Sequence, residues 1–439
     1  MKRPLPPAVP PPAKAIQKMN PSEAIRSLGN LDKQKMWSPV TTALLNDLEN
    51  EMEGSALRHL LFEPEMAQSV LFAMKNVTMA DDAQNLLKLF IQLVSSTSPT
   101  IYPISEGSDA VNFLQAQGAH AVIVDLLRKM RRDQTTVQLC FQSLSTLYSL
   151  SSDETMRQTF AKEDSYEGLV NILTEARRIH TAVFTVREQF VVLMLNISAR
   201  CPASLRKLLV DSAAPALISI GRAACEAGDK SGQTSLLAED VCGALHNMCF
   251  DDSALAKSLR KQSAIDLATR VIQIYESEWT VVCCAVTLIA DLSSSSVGPG
   301  ANEASVPVSC LRLVRDCVKK HIRNEHIVQA GICALARLTM RDDMMKELVS
   351  LDEQAEDGLI CYNILLNWKD SSEEITERCL LLLALELAAG QPRIRFRTRI
   401  PEALKQHVTK ATTKSSPRPR LFYAGKRVLA ILDDMGGVS

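Results

Sequence analysis

Glycine and proline are scarce. The 439 residues include 17 Gly and 19 Pro, about 8% together against roughly 12% in an average globular protein. Prolines 4, 6, 7, 10, 11 and 12 crowd into the first dozen residues, so the rest of the chain is poorer still. Such a shortage of turn-formers excludes a many-turned β-sandwich and points to helices joined by short connections. Long apolar runs are missing too: Val281–Ala290 and Leu380–Leu385 fall well short of the roughly 20 residues that cross a bilayer. Residues 1–20 lack the apolar stretch of a secretory signal. With 49 Lys+Arg against 50 Asp+Glu the net charge is −1, which gives no overall sign of nucleic-acid binding.

Catalytic and cofactor motifs are absent as well. Gly228-Asp229-Lys230-Ser231 lacks the G-x-x-x-x-G-K-[ST] spacing that cradles phosphate. No G-x-S-x-G, H-E-x-x-H or G-x-G-x-x-G occurs, and the seven His are scattered without partners at motif spacing. Cys242, His246 and Cys249 share one helix face, but structural zinc usually draws its ligands from separate elements and needs a fourth. The expectation is a protein that is not an enzyme and carries neither cofactor nor metal. The proline cluster favours an extended polyproline conformation. It reads as a flexible tail first and as a ligand for a recognition module second.

What the chain does have is apolar material: 46% hydrophobic residues against 23% charged, enough to bury a core. Its twelve cysteines lie mostly inside apolar helical stretches, as at Cys140, Cys242, Cys283, Cys284, Cys333 and Cys379. Cysteines so placed act as small buried hydrophobes and suit a reducing compartment. A soluble cytoplasmic location is expected, with the nucleus, cilium or cytoskeleton as alternatives.

The apolar material repeats. Val137–Leu147 and Val328–Leu338 both read V-Q-x-x-x-x-x-L-x-x-L with a polar tenth residue. The end of that pattern returns around Asn196, Asn247, Asp291 and Glu386, and more weakly at Gln92 and Ile431. Taken with Thr146 and Arg337, these positions are 44 to 54 residues apart, about 48 on average, close to the roughly 40–47 of helical repeats. Each copy has apolar residues at helical spacing, and such a face is buried only by stacking on neighbours.

A second pattern precedes each copy. Gly118-Ala119-His120-Ala121-Val122-Ile123-Val124-Asp125-Leu126-Leu127 resembles the G-A-x-P-x-L-V-x-L-L start of the second helix in armadillo repeats. Ser212-Ala213-Ala214-Pro215-Ala216-Leu217-Ile218 repeats it, and Gly168–Leu173 supplies its second half. Gly permits the sharp turn before that helix, and Pro fits its first turn. Enlarged loops are expected at Glu226–Ser235, Ser293–Ser305 and Ser95–Asp109. The chain therefore resembles the armadillo-repeat family over about residues 62–435. The resemblance implies an all-α fold: a right-handed α-solenoid of about eight armadillo-like repeats behind a disordered Pro-rich tail. The expected organisation is a tail over 1–36, capping helices and a degenerate repeat over 37–107, repeats over 108–390, and a basic degenerate cap over 391–439.

In armadillo proteins the third helices line a groove, and an Asn on each commonly bonds the backbone of an extended peptide. The matching positions here are Gln92, Thr146, Asn196, Asn247, Asp291, Arg337 and Glu386. Two readings stay open for this row: a groove for a protein segment, or ordinary solvent-facing and repeat-tying residues. Val192 and Gly243 stand where importin-type grooves carry Trp, which disfavours nuclear-localisation-signal recognition. Charge adds one asymmetry. Residues 391–427 hold eleven Lys/Arg, among them Arg393, Arg395, Arg397, Arg399, Arg418, Arg420, Lys426 and Arg427, against the single acid Glu402. That region either solvates the end of the array or meets an acidic partner such as an acidic protein tail, an anionic membrane face or RNA. The functional expectation is a scaffold or adaptor holding one or more proteins. Alternatives are a chaperone-associated nucleotide-exchange module and a cytoskeletal or ciliary protein using its basic end.

Overall fold

A computed structural model describes residues 64–95, 114, 116–150, 166–199, 201–228, 232–293, 306–354, 359–368 and 372–389, with 406, 408, 409, 423 and 425–431 near the C-terminus. Among these, all regular structure is helical and no strand occurs. The Pro-rich segment 1–36, nearly all of the Ser95–Asp109 and Ser293–Ser305 connections, and most of the basic region lie outside them. The chain forms two compact units, Met1–Ala213 and Ala214–Ser439.

The first unit contains α1 (Pro64–Asn76), α2 (Ala80–Ser95), α3 (Ala119–Met130), α4 (Gln134–Leu150), α5 (Tyr166–Ile179), α6 (Phe184–Ser198) and α7 (Ala203–Ser212). Successive helices pair as α1 with α2, α3 with α4 and α5 with α6. The pairs stack, so that α2, α4 and α6 form one layer and α1, α3 and α5 the other. The amphipathic spacing dictates this, since one hairpin alone leaves its apolar stripe wet. Phe90, Phe141 and Phe190, one from each helix of the first layer, are fully buried. The Phe141 and Phe190 rings meet at 5.8 Å, and burying each contributes roughly 1.5–3 kcal/mol.

The second unit contains α8 (Ala214–Ala227), α9 (Gln233–Cys249), α10 (Ser253–Lys261), α11 (Ala264–Ile274), α12 (Trp279–Ser293), α13 (Val308–Lys320), α14 (Glu325–Leu338), α15 (Asp342–Gln354), α16 (Ile360–Trp368) and α17 (Glu373–Ala389). Here α9, α12, α14 and α17 stack side by side. The short helices α10 and α15 make three-helix repeats of α10–α12 and α15–α17. Asp252 caps α10 by accepting from the Ala254 and Leu255 N–H groups at 3.1 and 3.0 Å, and Asn324 caps α14 through the Ile327 N–H. Gly331 lets α14 close on α13, because a Cβ there would sit 2.0 Å from the Val318 side chain.

The turn ahead of α3 is as the sequence suggests: Gly118 is left-handed at φ 78°. The same turn ahead of α11 is made by Ser263 at φ 66°, a conformation that favours glycine. The break expected at Glu226–Ser235 is narrower, because α8 runs on to Ala227 and α9 begins at Gln233.

One set of hydrogen bonds recurs at every step of both stacks. A side chain at the end of one helix donates to a main-chain carbonyl at the end of the corresponding helix in the preceding repeat. Lys129 donates to Lys75 O at 2.9 Å and His180 Nε2 to Arg131 O at 3.0 Å. In the second unit Tyr275 donates to Ala224 O at 3.0 Å, His321 Nε2 to Glu276 O at 2.9 Å and Trp368 Nε1 to Ile322 O at 2.7 Å. Helix C-termini leave carbonyls without intrahelical partners. Each repeat thus supplies donors that its predecessor lacks.

Candidate functional site

The candidate surface is the exposed stripe of the helices carrying the repeated pattern, clearest in the second unit. On α9 the residues reaching solvent are Leu236, Glu239, Asp240, Gly243, His246 and Asn247, ending in Phe250. On α12 they are Thr280, Cys283, Cys284 and Thr287, and on α14 His326, Gln329, Ala330, Cys333, Ala336, Arg337 and Met340. On α17 they are Glu374, Glu377, Arg378, Leu381 and Leu385. Steps of three and four keep each set on one helical face. On α9, α12 and α14 the middle of the surface is lined by small residues (Gly243, Thr287, Cys333). Helix α17 presents Leu381 there, and other large apolar side chains stand out toward the helix ends. Leu236, Phe250 and Met340 are 61%, 54% and 59% exposed. Trp279, also exposed, stacks on His326 at 5.8 Å.

The row residues behave differently from one another. Asn196 on α6 donates through Nδ2 to Ser145 Oγ on α4 at 2.7 Å, tying adjacent repeats. Thr146 spends its hydroxyl on Gln142 O of its own helix. Gln92 is half-buried, with Oε1 enclosed and lacking a hydrogen-bond partner. Asn247 is half-buried at the surface of α9. Asp291, only 3% exposed, joins three helices: Oδ1 accepts from Arg337 of α14 at 2.5 Å, and Oδ2 meets His246 Nδ1 of α9. Glu386 is buried. Matching the exposed stripes of α14 and α17 puts Leu385 opposite Arg337, so Glu386 lies one residue off the row and points inward. The Ala384-Leu385-Glu386-Leu387 run is apolar on both sides of the acid and does not fix this register by itself.

The remaining candidates are less gathered. Lys426 and Arg427 are exposed. Arg393, Arg395, Arg397, Arg399, Arg418 and Arg420 lie outside the described residues. None of the twelve cysteines is in a disulfide. Burial pushes the thiols of Cys284 and Cys317 up to about 12 and that of Cys225 to about 11, so none of these three is set up as a thiolate. Cys333 is raised by burial even though Arg378 beside it works the other way. Among the described residues no group of three His, Cys, Asp or Glu is placed to hold a metal ion. Among them, too, no single helix is long and apolar enough to cross a membrane.

Sequence reasoning missed the tying residues: His246 as the partner of Asp291, Ser145 as the partner of Asn196, and the donors Lys129, His180, Tyr275, His321 and Trp368. The only available signal was their recurrence at the repeat period.

Solved structures with the same arrangement decide the fold. Uso1-2 superposes with a TM-score of 0.59 at 11% identity, over 98% of this chain and 71% of that one. SYS-1 gives 0.55 at 11% identity, over 95% of this chain and 73% of that one. The chain has an armadillo-like fold. SYS-1 in its complex with POP-1 gives 0.53 at 11% identity, over 95% and 74%. No protein-family model and no curated protein sequence matches the chain. At these identities the armadillo-like arrangement itself is what the likeness carries, and its protein-binding role is that of the neighbours.

Proposed function

We propose that the chain is a non-catalytic scaffold that holds a segment of another protein across the exposed stripes of α9, α12, α14 and α17. The observation that carries this reading is the exposure of Leu236, Phe250 and Met340 at the ends of helices whose middles expose small residues on the same face. Large apolar side chains gathered on one face are characteristic of docking surfaces, and small residues between them let a partner backbone approach. Asn247 adds an amide that offers donor and acceptor together. Use of the same fold for protein binding by SYS-1, crystallised with POP-1, supports the reading.

Affinity purification with quantitative mass spectrometry tests it. Leu236→Asp with Phe250→Asp should remove a partner that the unaltered chain retains. Phe72→Asp, at an exposed apolar position in the first unit, should keep that partner. An unchanged partner list for the double variant would count against docking on this face. Asn247→Ala sharpens the result, since its loss should weaken the same partner without weakening the fold.

A further inference from the structure

The end of the second unit contains a charge imbalance that the docking surface does not use. Arg315 on α13 donates through Nε to Asp352 Oδ1 on α15 at 2.6 Å. Asp352 Oδ2 accepts the Ile360 N–H at the start of α16 at 2.8 Å. Both oxygens of Asp352 are therefore engaged, and the buried guanidinium is committed to it. Arg315 NH1 reaches only the exposed Asp316, at 3.5 Å. Glu386 of α17 lies against this pair and is 2% exposed. Its carboxyl faces the Asp352 carboxyl and the Cys361 thiol, and neither oxygen receives a backbone or basic donor. Two buried carboxyl groups share one cation, and burial penalises a second anion there.

The other groups around Glu386 do not repair the imbalance. From α16 comes the Cys361 thiol, paired with Cys379 of α17 and raised by that pairing and by burial. Helix α14, which also packs on α17, brings Arg337, committed to Asp291, and Cys333, which receives Arg378. Burial first, then the Cys361 thiol and the Asp352 carboxylate, push the Glu386 carboxyl well above the ordinary glutamate range, with Arg315 opposing them.

We propose that Glu386 is a proton-operated latch that seats α17 against α14, α15 and α16 while it carries its proton and releases α17 when that proton is lost to solvent. Because α17 presents Glu374, Glu377, Arg378 and Leu381, release dismantles the last strip of the exposed surface. The direction in pH follows from the proton count. An unfolded glutamate loses its proton near its ordinary value of 4.5, whereas the seated one keeps it. From there up to the folded value, each pH unit weakens the seated state about tenfold, and stability levels off above that value.

Hydrogen exchange on the full chain, corrected for the intrinsic pH dependence of exchange, tests the latch between about pH 6 and about pH 8. The opening constant of α16 and α17 should rise with pH, by at most about tenfold per unit, while α2, α4 and α6 stay level. Glu386→Gln, which keeps shape and removes titration, should flatten that slope. A slope retained in the glutamine variant, or one shared equally by both units, would overturn the latch. Infrared spectroscopy of the unaltered protein supplies the second reading. A protonated-carboxyl band should persist above about pH 6 and vanish as α17 opens. No such band would overturn the proposal even if the variant failed to fold.

Discussion

The two units solve the same stacking problem with different chemistry. In the first unit, Asn196 meets Ser145 and Gln68 meets Gln117, over a core carrying a full-size aromatic from each of α2, α4 and α6. In the second, the buried ties use charged side chains: Asp291 with Arg337 and with His246, Arg315 with Asp352, and Arg260 donating to Leu292 O at the end of α12. The charged ties of the first unit, such as Arg131 with Glu175, are exposed. Neutral ties respond little to pH or salt. Ionic ties in a dry interior contribute little net stability when intact, because desolvation offsets attraction, but they cost a great deal when one partner is removed. Sensitivity to charge should therefore concentrate in the second unit.

The sharpest break is Arg315→Met, which leaves the buried Asp352 carboxylate without its cation and should cost about 3–5 kcal/mol, read as early urea unfolding confined to the second unit. A weaker effect is expected from Asp291→Asn, about 1–2 kcal/mol, because Arg337 still reaches solvent. Its counterpart in the first unit, Asn196→Ala, removes a neutral bond and should cost about 1 kcal/mol. Equal losses for these last two would erase the contrast between ionic and neutral ties. The smallest effect has the opposite sign. Ser263→Gly relieves a left-handed serine and should stabilise the second unit by a few tenths to about 1 kcal/mol in thermal melts. Gly118 already meets the equivalent demand in the first unit.

Repetition was legible in the sequence because burying a helical stripe imposes spacing on residue type. Gly118 was legible for the same reason: a left-handed turn selects its residue. Ser263 was not, since serine carries no signature of that conformation and its neighbours hold it there. Asp291 and Arg337 were found as polar positions, but their mutual engagement depends on the packing of α12 against α14, which spacing alone does not specify. Glu386 was placed on the row because an acid within Leu and Ala looks like an exposed residue. Only the exposure pattern of α17 shows that Leu385 takes that place.

The helix-end ladder has a consequence for how such a chain can change over generations. Its acceptors are peptide carbonyls, present whatever the residue, and its donors are an amine, two imidazoles, a phenol and an indole. Any side chain with a proton to give and sufficient reach satisfies the joint. Donor identity can drift at one joint without a matching change at the next. An architecture fastened this way keeps its geometry long after its letters have stopped resembling those of its cousins.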